Sequence, residues 1–205
     1  MHPFPDPPPE GEGNLSSLLA ARKGHFKLES GHHSDLWLDL DLLFVQPARL
    51  RPFVGELAER LQPHGIEAVC GPLVGGALVA QLIASELDVD FYYAERSQPR
   101  TAGLSAVDYQ LPRALRAGIR GKNVAVVDDA INAGSALRGT LADLTACGAR
   151  PAALGALVVL GSSAPGMAAA AGIPLESIAT LSSGLWTPAG CPLCGSGVPL
   201  EDTEA

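Results

Sequence analysis

The chain has 205 residues, 47% of them hydrophobic, and a formal net charge of -8 from 14 basic and 22 acidic residues. That length makes one domain, or one domain with a small appendage, and it is enough to bury a full core. The acidic balance excludes a broad nucleic-acid surface, which needs a basic footprint, and no apolar run reaches the roughly 18 residues of a membrane span.

Met1 to about Glu12 carries Pro3, Pro5, Pro7, Pro8 and Pro9, so residues 1–13 are expected to form a disordered tail. The tail lacks the basic start and apolar centre of a signal peptide, and a cytoplasmic location is expected. Leu15 to Arg22 has amphipathic helical spacing. Ser30 to Asp39 alternates as a short hairpin or paired strands, and residues 14–46 together read as a hood over the core. Leu50, Phe53, Val54, Leu57 and Leu61 then recur at helical spacing from Pro47 to Leu61. Ile66 to Cys70 reads as a strand, Leu78 to Leu87 as a helix and Asp90 to Ala94 as a strand. Val124 to Val127, a helix near Ala136 to Cys147 and the strand Ala153 to Leu160 continue the alternation. It predicts a parallel sheet with helices on both faces. The core is placed at 47–165 in a domain of 14–185, with 186–205 as a C-terminal tail. Ligands in such sheets bind at the carboxyl ends of the strands.

Two strand ends carry chemistry. Val124 to Val127 reads as a strand buried on both faces that delivers Asp128 and Asp129 to its end. Ala130, Ile131, Asn132, Ala133, Gly134, Ser135 and Ala136 follow, and from Asn132 they are small or polar residues ahead of a helix. Backbone N–H groups of such a loop wrap an anion at a helix N-terminus, while the carboxylates grip vicinal hydroxyls. This is the layout of a sugar-phosphate site, although an ordinary strand-to-helix turn has the same local pattern. The second strand end, Gly71-Pro72-Leu73-Val74-Gly75-Gly76-Ala77, lets the backbone approach a ligand at Gly75 and Gly76, or simply makes a tight turn.

The Val124–Ala136 segment resembles the phosphoribosyl-pyrophosphate (PRPP) signature of the type I phosphoribosyltransferases. Within that superfamily the nearest likeness is to the orotate phosphoribosyltransferase family, on the block Phe26-Lys27-Leu28-Glu29-Ser30-Gly31-His32-His33-Ser34 and the aromatics after it. The blocks Val69–Ala77 and Phe91-Tyr92-Tyr93-Ala94-Glu95-Arg96 keep the same order and spacing. The resemblance covers residues 20 to 160. It implies an α/β, type I phosphoribosyltransferase-like parallel sheet flanked by helices, with a small hood from the N- and C-terminal segments. The implied reaction is transfer of phosphoribose from PRPP to a nitrogenous base with release of pyrophosphate. Orotate is the leading acceptor, which would place the chain in pyrimidine biosynthesis. A PRPP- or nucleotide-sensing protein without catalysis and a transferase for another base are the alternatives. The resemblance also implies Mg²⁺ as cofactor and a homodimer. It assigns catalysis to Asp128, Asp129 and Arg96, and PRPP binding to these with Val74, Gly75, Gly76, Arg100 and the loop Ala130 to Ala136. Trp37, Leu38 and Asn132 are the candidates facing the base.

Several positions depart from the family. The orotate enzymes follow the Arg of the Phe91–Arg96 block with a loop bearing Lys residues and a His, which reaches over pyrophosphate from the neighbouring subunit. Here Ser97 to Leu104 offers only Arg100, and an Arg fork is not equivalent to a Lys point charge. Gly75 stands in place of a Lys, and Glu29 where Lys or Ser is frequent. The Asp-Arg pair that grips the orotate carboxylate is replaced by Leu160-Gly161-Ser162-Ser163, which leaves His32, His33 and Arg113 as candidate substitutes.

Four Cys in a cytosolic chain argue against a disulfide framework, and Cys70 and Cys147 fall in apolar segments as packing residues. Cys191-Pro192-Leu193-Cys194 offers half of a tetrahedral zinc site, with no second Cys pair to complete it. Completion would need His residues or a second subunit. The sequence favours the plainer reading, a turn near Trp186 that packs on the core.

Overall fold

The computed structural model describes Leu15 and residues 19–97 and 108–202. The Pro-rich stretch 1–13 and Arg100 lie outside the described residues. Two sheets organise the chain. The larger has six strands: β3 (Ala68–Pro72), β4 (Asp90–Ser97), β5 (Asp108–Gln110), β6 (Asn123–Ile131), β7 (Arg150–Leu160) and β8 (Leu175–Leu181). Their order is β5-β4-β3-β6-β7-β8, parallel except for the antiparallel edge pair β4–β5. The smaller sheet runs β10-β1-β2-β9 and joins β1 (Ala20–Lys27) and β2 (His33–Asp39) to two short C-terminal strands, β9 (Leu185–Trp186) and β10 (Glu201–Asp202).

The central strands alternate between two cores because side chains of a strand point to opposite faces in turn. Val69, Ala125 and Val127 face one side, where they meet helices α2 (Pro47–Leu61) and α3 (Gly75–Leu87) through Leu57, Leu61, Val79 and Ile83. Ala68, Cys70, Val124 and Val126 face the other, against α4 (Ser135–Ala146) and α5 (Ser163–Ala171) through Leu137, Leu144 and Ala164. Leu57, Leu61, Leu137 and Leu144 are fully buried, and truncating such a residue to Ala costs about 2–5 kcal/mol. Cys70 and Cys147 are buried packing residues.

The chain runs outward from β3 through β4 to β5 and then returns to β6 on the opposite flank. The strand order therefore reverses between β3 and β6, the place where a doubly wound sheet opens a ligand crevice. The register shows how. Pairing of β3 with β6 stops at Cys70 opposite Val126, whereas β6 continues beside β7 as far as Ile131 opposite Val159. Asp128 to Ile131 thus lie beyond the last β3–β6 pair and are paired with β7 only.

Four expectations need correction. The helix expected over Leu15–Arg22 gives way at Ala20 to strand β1, which pairs with β2 from Ala20 opposite Asp39 to Lys27 opposite His33. Strand β6 does not end at Val127 but carries Asp128 and Asp129 within it, because Ala130 and Ile131 still pair with β7. The core does not stop at 165, since β8 completes the large sheet. Residues 186–202 do not trail away as a tail: Trp186 pairs with His33, and Glu201 and Asp202 pair with Phe26 and Lys27. A further short helix, α1 (Asp41–Val45), links the hood to α2.

Candidate active site

A cavity of about 330 Å³ opens at the β3–β6 crevice. Its floor is the end of β6 and the loop that follows, one wall is the Pro72–Gly76 turn, and the roof is hood residues from Leu28 to Leu40, among them Trp37 and Leu38.

Asp128 and Asp129 occupy the floor side by side. Asp129 N–H donates to Asp128 Oδ1 at 3.1 Å and Ala130 N–H to Asp129 Oδ1 at 2.8 Å, which fixes both carboxyl groups against the strand. Burial raises the proton affinity of both, and for Asp128 the adjacent Asp129 adds to it. Burial of two adjacent carboxyl groups disfavours their charged forms, and hydroxyl donors or a cation facing the pair would stabilise its negative charge.

The Pro72–Gly76 turn is shaped by those acids. A Cβ on Gly75 would overlap the Asp129 carboxylate, and one on Gly76 would stand 2.6 Å from Asp128 Oδ1. Gly71 is required for a separate reason, since its Cβ would strike the Gly76 carbonyl. Helix α3 begins at Gly75 rather than Leu78, so both glycines lie in its first turn. The peptide between Leu73 and Val74 is cis.

On the other side of the acids, Gly134 adopts φ 72°, the left-handed region that favours glycine, and so reverses the chain into α4. No acidic residue occupies the first turn of α4. The N–H groups of Ser135 and Ala136 therefore sit at a positive helix end that lines the cavity. Asn132 Oδ1 is buried in the same loop with no hydrogen-bond partner among the described residues. A buried acceptor left unmatched costs about 1–3 kcal/mol.

The phosphoribosyl transferase domain model matches residues 53–167 of the chain. The chain belongs to the phosphoribosyltransferase family. It is 30% identical over 189 residues to an orotate phosphoribosyltransferase of Caldanaerobacter subterraneus subsp. tengcongensis, spanning 91% of each chain. Identity to the orotate phosphoribosyltransferase of Thermotoga petrophila is 31% over 191 residues, spanning 91% of this chain and 93% of that one. The solved orotate phosphoribosyltransferase of Aeropyrum pernix shares the fold at a TM-score of 0.63 and 24% identity, covering 82% of this chain and 90% of that one. An adenine phosphoribosyltransferase from Trypanosoma brucei does so at 0.62 and 16%, covering 81% and 78%. The type I phosphoribosyltransferase fold expected from the sequence is therefore the fold observed.

In this phosphoribosyltransferase the expected PRPP residues Val74, Gly75, Gly76, Asp128, Asp129 and Ala130 to Ala136 all line one cavity, as do Trp37 and Leu38. Trp37 Nε1 donates to Asp39 Oδ1 at 2.8 Å and its ring leans on Phe26, which fixes the indole as a hood wall. Arg96 is not among the lining residues. It stands behind the rim on β4, its Nε 3.3 Å from Glu29 Oε1.

Glu29 and Tyr109 are site residues that the sequence reading did not assign. Both line the cavity, and Tyr109 O–H donates to Glu29 Oε1 at 3.0 Å. Burial, reinforced by Glu29, keeps the Tyr109 phenol protonated well above its ordinary range. Of the candidates for a carboxylate grip, none lines the cavity. His32 bonds Ser30 Oγ at 3.1 Å, while His33 turns into the hood against His25 and Cys194. Cys191 and Cys194 also lie in the hood rather than on the cavity. The described lining thus holds three carboxylates, Glu29, Asp128 and Asp129, and no Lys, Arg or His.

Proposed function

We propose that the chain transfers the 5-phosphoribosyl group of PRPP to orotate, giving orotidine 5′-monophosphate and pyrophosphate. The observation that carries the reading is the meeting of the Asp128–Asp129 pair, the α4 N-terminus and the Gly75–Gly76 turn on one cavity. Likeness to the orotate phosphoribosyltransferases across 91% of the chain supports orotate as the acceptor.

In this reading the loop Asn132 to Ala136 and the first N–H groups of α4 hold the 5′-phosphate, where the helix dipole favours an anion. Asp128 and Asp129 accept hydrogen bonds from the ribose hydroxyls, which stabilises their charged forms. The turn at Val74 to Gly76 presents backbone to the pyrophosphate. A ring nitrogen of the base forms a bond to C1 of the ribose as the C1–O bond to pyrophosphate breaks, through a transition state of oxocarbenium character. The protein supplies position and charge rather than a covalent nucleophile. Trp37 and Leu38 wall the acceptor side, and Asn132 Oδ1 offers an acceptor for a base or sugar donor. Arg96 and Arg100 are the cationic groups assigned to pyrophosphate on family likeness.

Mg²⁺ is the cofactor we assign to this reaction. The described cavity fits it, being lined by carboxylate oxygens without a basic side chain, and hard oxygen ligands together with substrate phosphates are what Mg²⁺ takes. It would be held at Asp128 and Asp129 through PRPP, and it would neutralise charge on the leaving pyrophosphate. We further propose a homodimer in which the second subunit adds cationic groups to this acidic cavity, and a cytoplasmic setting, in keeping with four free thiols. None of the described helices is long and apolar enough to cross a membrane.

One observation favours a second reading. The Asp-Arg pair expected to grip the orotate carboxylate is replaced by Leu160-Gly161-Ser162-Ser163, of which Leu160 lines the cavity, and an apolar wall there suits an uncharged base. Titration of PRPP with and without Mg²⁺, followed by turnover with orotate and with uracil, adenine and hypoxanthine, separates the two. Turnover with orotate supports the first, turnover with an uncharged base alone supports the second, and PRPP binding without turnover means a sensor.

A further inference from the structure

Four metal-ligating side chains converge in the hood, and none of them lines the cavity. His25 lies in β1 where its register with β2 shifts between Lys23 and Phe26, and His33 opens β2. Cys191 precedes the one-turn helix α6 (Pro192–Gly195) and Cys194 lies within it, and Gly195 N–H donates back to Cys191 O at 3.2 Å. That turn puts both sulfurs on one side, and their ligand atoms and those of the two imidazoles lie within 4.8 Å of one another.

The spacing is that of a tetrahedron. With Zn–N of about 2.0–2.1 Å and Zn–S of about 2.3 Å, tetrahedral ligands stand about 3.3 Å apart for N and N and about 3.5 Å for N and S. Here His25 Nε2 and His33 Nδ1 are 3.0 Å apart. Cys191 Sγ lies 3.3 Å and Cys194 Sγ 3.7 Å from His25 Nε2, and Cys194 Sγ lies 3.3 Å from His33 Nδ1.

His25 Nδ1 is 2.8 Å from the Val198 carbonyl, which can only accept, so a neutral His25 carries its proton on Nδ1 and presents a bare lone pair at Nε2. Nε2 stands 3.0, 3.3 and 3.7 Å from His33 Nδ1, Cys191 Sγ and Cys194 Sγ, so one cation can sit within reach of all four atoms. A backbone carbonyl on the far nitrogen is also the usual outer support of a metal-bound imidazole.

We propose that His25 Nε2, His33 Nδ1, Cys191 Sγ and Cys194 Sγ bind one structural zinc ion. Thiolate and imidazole ligands suit zinc and not Mg²⁺, and four protein ligands leave no open position for catalysis. On binding, both thiols lose their protons to solvent and the cluster becomes formally neutral. The ion pins the C-terminal segment to β1 and β2, where the surrounding ties are two-residue strand pairings and the exposed ion pairs Arg22–Glu201 and Lys27–Asp202. It thereby braces the hairpin that carries Leu36, Trp37 and Leu38 to the cavity.

Metal analysis of the full chain purified without chelator is expected to give about one zinc per chain. Cobalt(II) added to chelator-stripped protein is expected to give the intense visible bands and near-ultraviolet sulfur-to-cobalt charge transfer of a tetrahedral thiolate site. The Cys191→Ser/Cys194→Ser variant should lose both signals, and chelation should lower the Tm of the wild-type chain. Wild-type protein with far less than stoichiometric zinc and no cobalt spectrum overturns the proposal, as does a variant that keeps wild-type zinc. The cobalt spectrum is read on the wild-type chain, so it decides the matter even where the variant fails to fold.

Discussion

Gly75 and Asp129 form a complementary pair across the β3–β6 crevice, because a side chain on Gly75 would occupy the volume of the Asp129 carboxylate. The glycine turn therefore serves the acids as well as any ligand. Gly75→Ala must push Asp129 or the first turn of α3 aside, and displacement by about 1 Å from the productive geometry costs on the order of 100-fold. We expect kcat/KM for PRPP to fall by that order while circular dichroism stays unchanged. Activity within a factor of two of wild type would show that the floor tolerates the shift.

Asp128 binds its proton more tightly in the folded chain than in the unfolded one, first through burial and then through Asp129. Its contribution to stability is complete below the ordinary aspartate pKa of about 3.9 and is lost as pH rises through the higher folded-state value. Asp128→Asn removes that loss. Its Tm should exceed the wild-type Tm by a margin that grows from about pH 4 upward, although turnover falls. Each tenfold change in proton affinity is worth about 1.4 kcal/mol, or about 3–5 °C in a chain of this size. Thermal unfolding across pH checks it, and a variant less stable than wild type at neutral pH would contradict the electrostatic account.

Glu29 holds Arg96 at 3.3 Å and accepts from Tyr109 at 3.0 Å. On the proposed role of Arg96, pyrophosphate competes with Glu29 for that guanidinium. Glu29→Gln should lower the KM for PRPP severalfold, and Arg96→Ala should raise it about tenfold or more. Steady-state kinetics of both variants provide the check. A PRPP KM that Arg96→Ala leaves unmoved would reduce Arg96 to a partner of Glu29.

Trp37 forms the hood wall of the cavity, anchored through Asp39 and Phe26. An aromatic contact contributes about 0.5–1.5 kcal/mol beyond its buried area. Trp37→Ala should therefore raise the KM for the acceptor base by about fivefold and leave that for PRPP nearly unchanged. Equal effects on both would mean that the hood as a whole has loosened.

Local periodicity carried much of the fold. The apolar spacing from Leu50 to Leu61 corresponds to α2 at both ends, and the β6 and β7 runs mark the middle of the sheet. Segments held by distant pairing were harder to read. Leu15–Arg22 has helical spacing, yet from Ala20 the chain is a strand because β2 and β10 pair with it. Leu175–Leu181 mixes polar and apolar residues because it is the sheet edge, half-buried rather than enclosed.

Site residues followed the same division. Asp128, Asp129 and the Asn132–Ala136 loop were legible because one short segment carries the whole pattern. Glu29 and Tyr109 meet only through the fold, 80 positions apart. Nor did any spacing signal join His25 to Cys191, which are 166 positions apart and brought together by the hood sheet.

The central claim is that the Asp128–Asp129 cavity performs phosphoribosyl transfer to orotate. The most direct measurement is orotidine 5′-monophosphate formation from PRPP, Mg²⁺ and orotate by the wild-type chain and by the Asp128→Asn/Asp129→Asn variant. The account predicts turnover by the wild type and a loss of at least about 100-fold in the folded variant, on the order of removing a principal transition-state contact. No product from the wild type, or undiminished product from the variant, would contradict it.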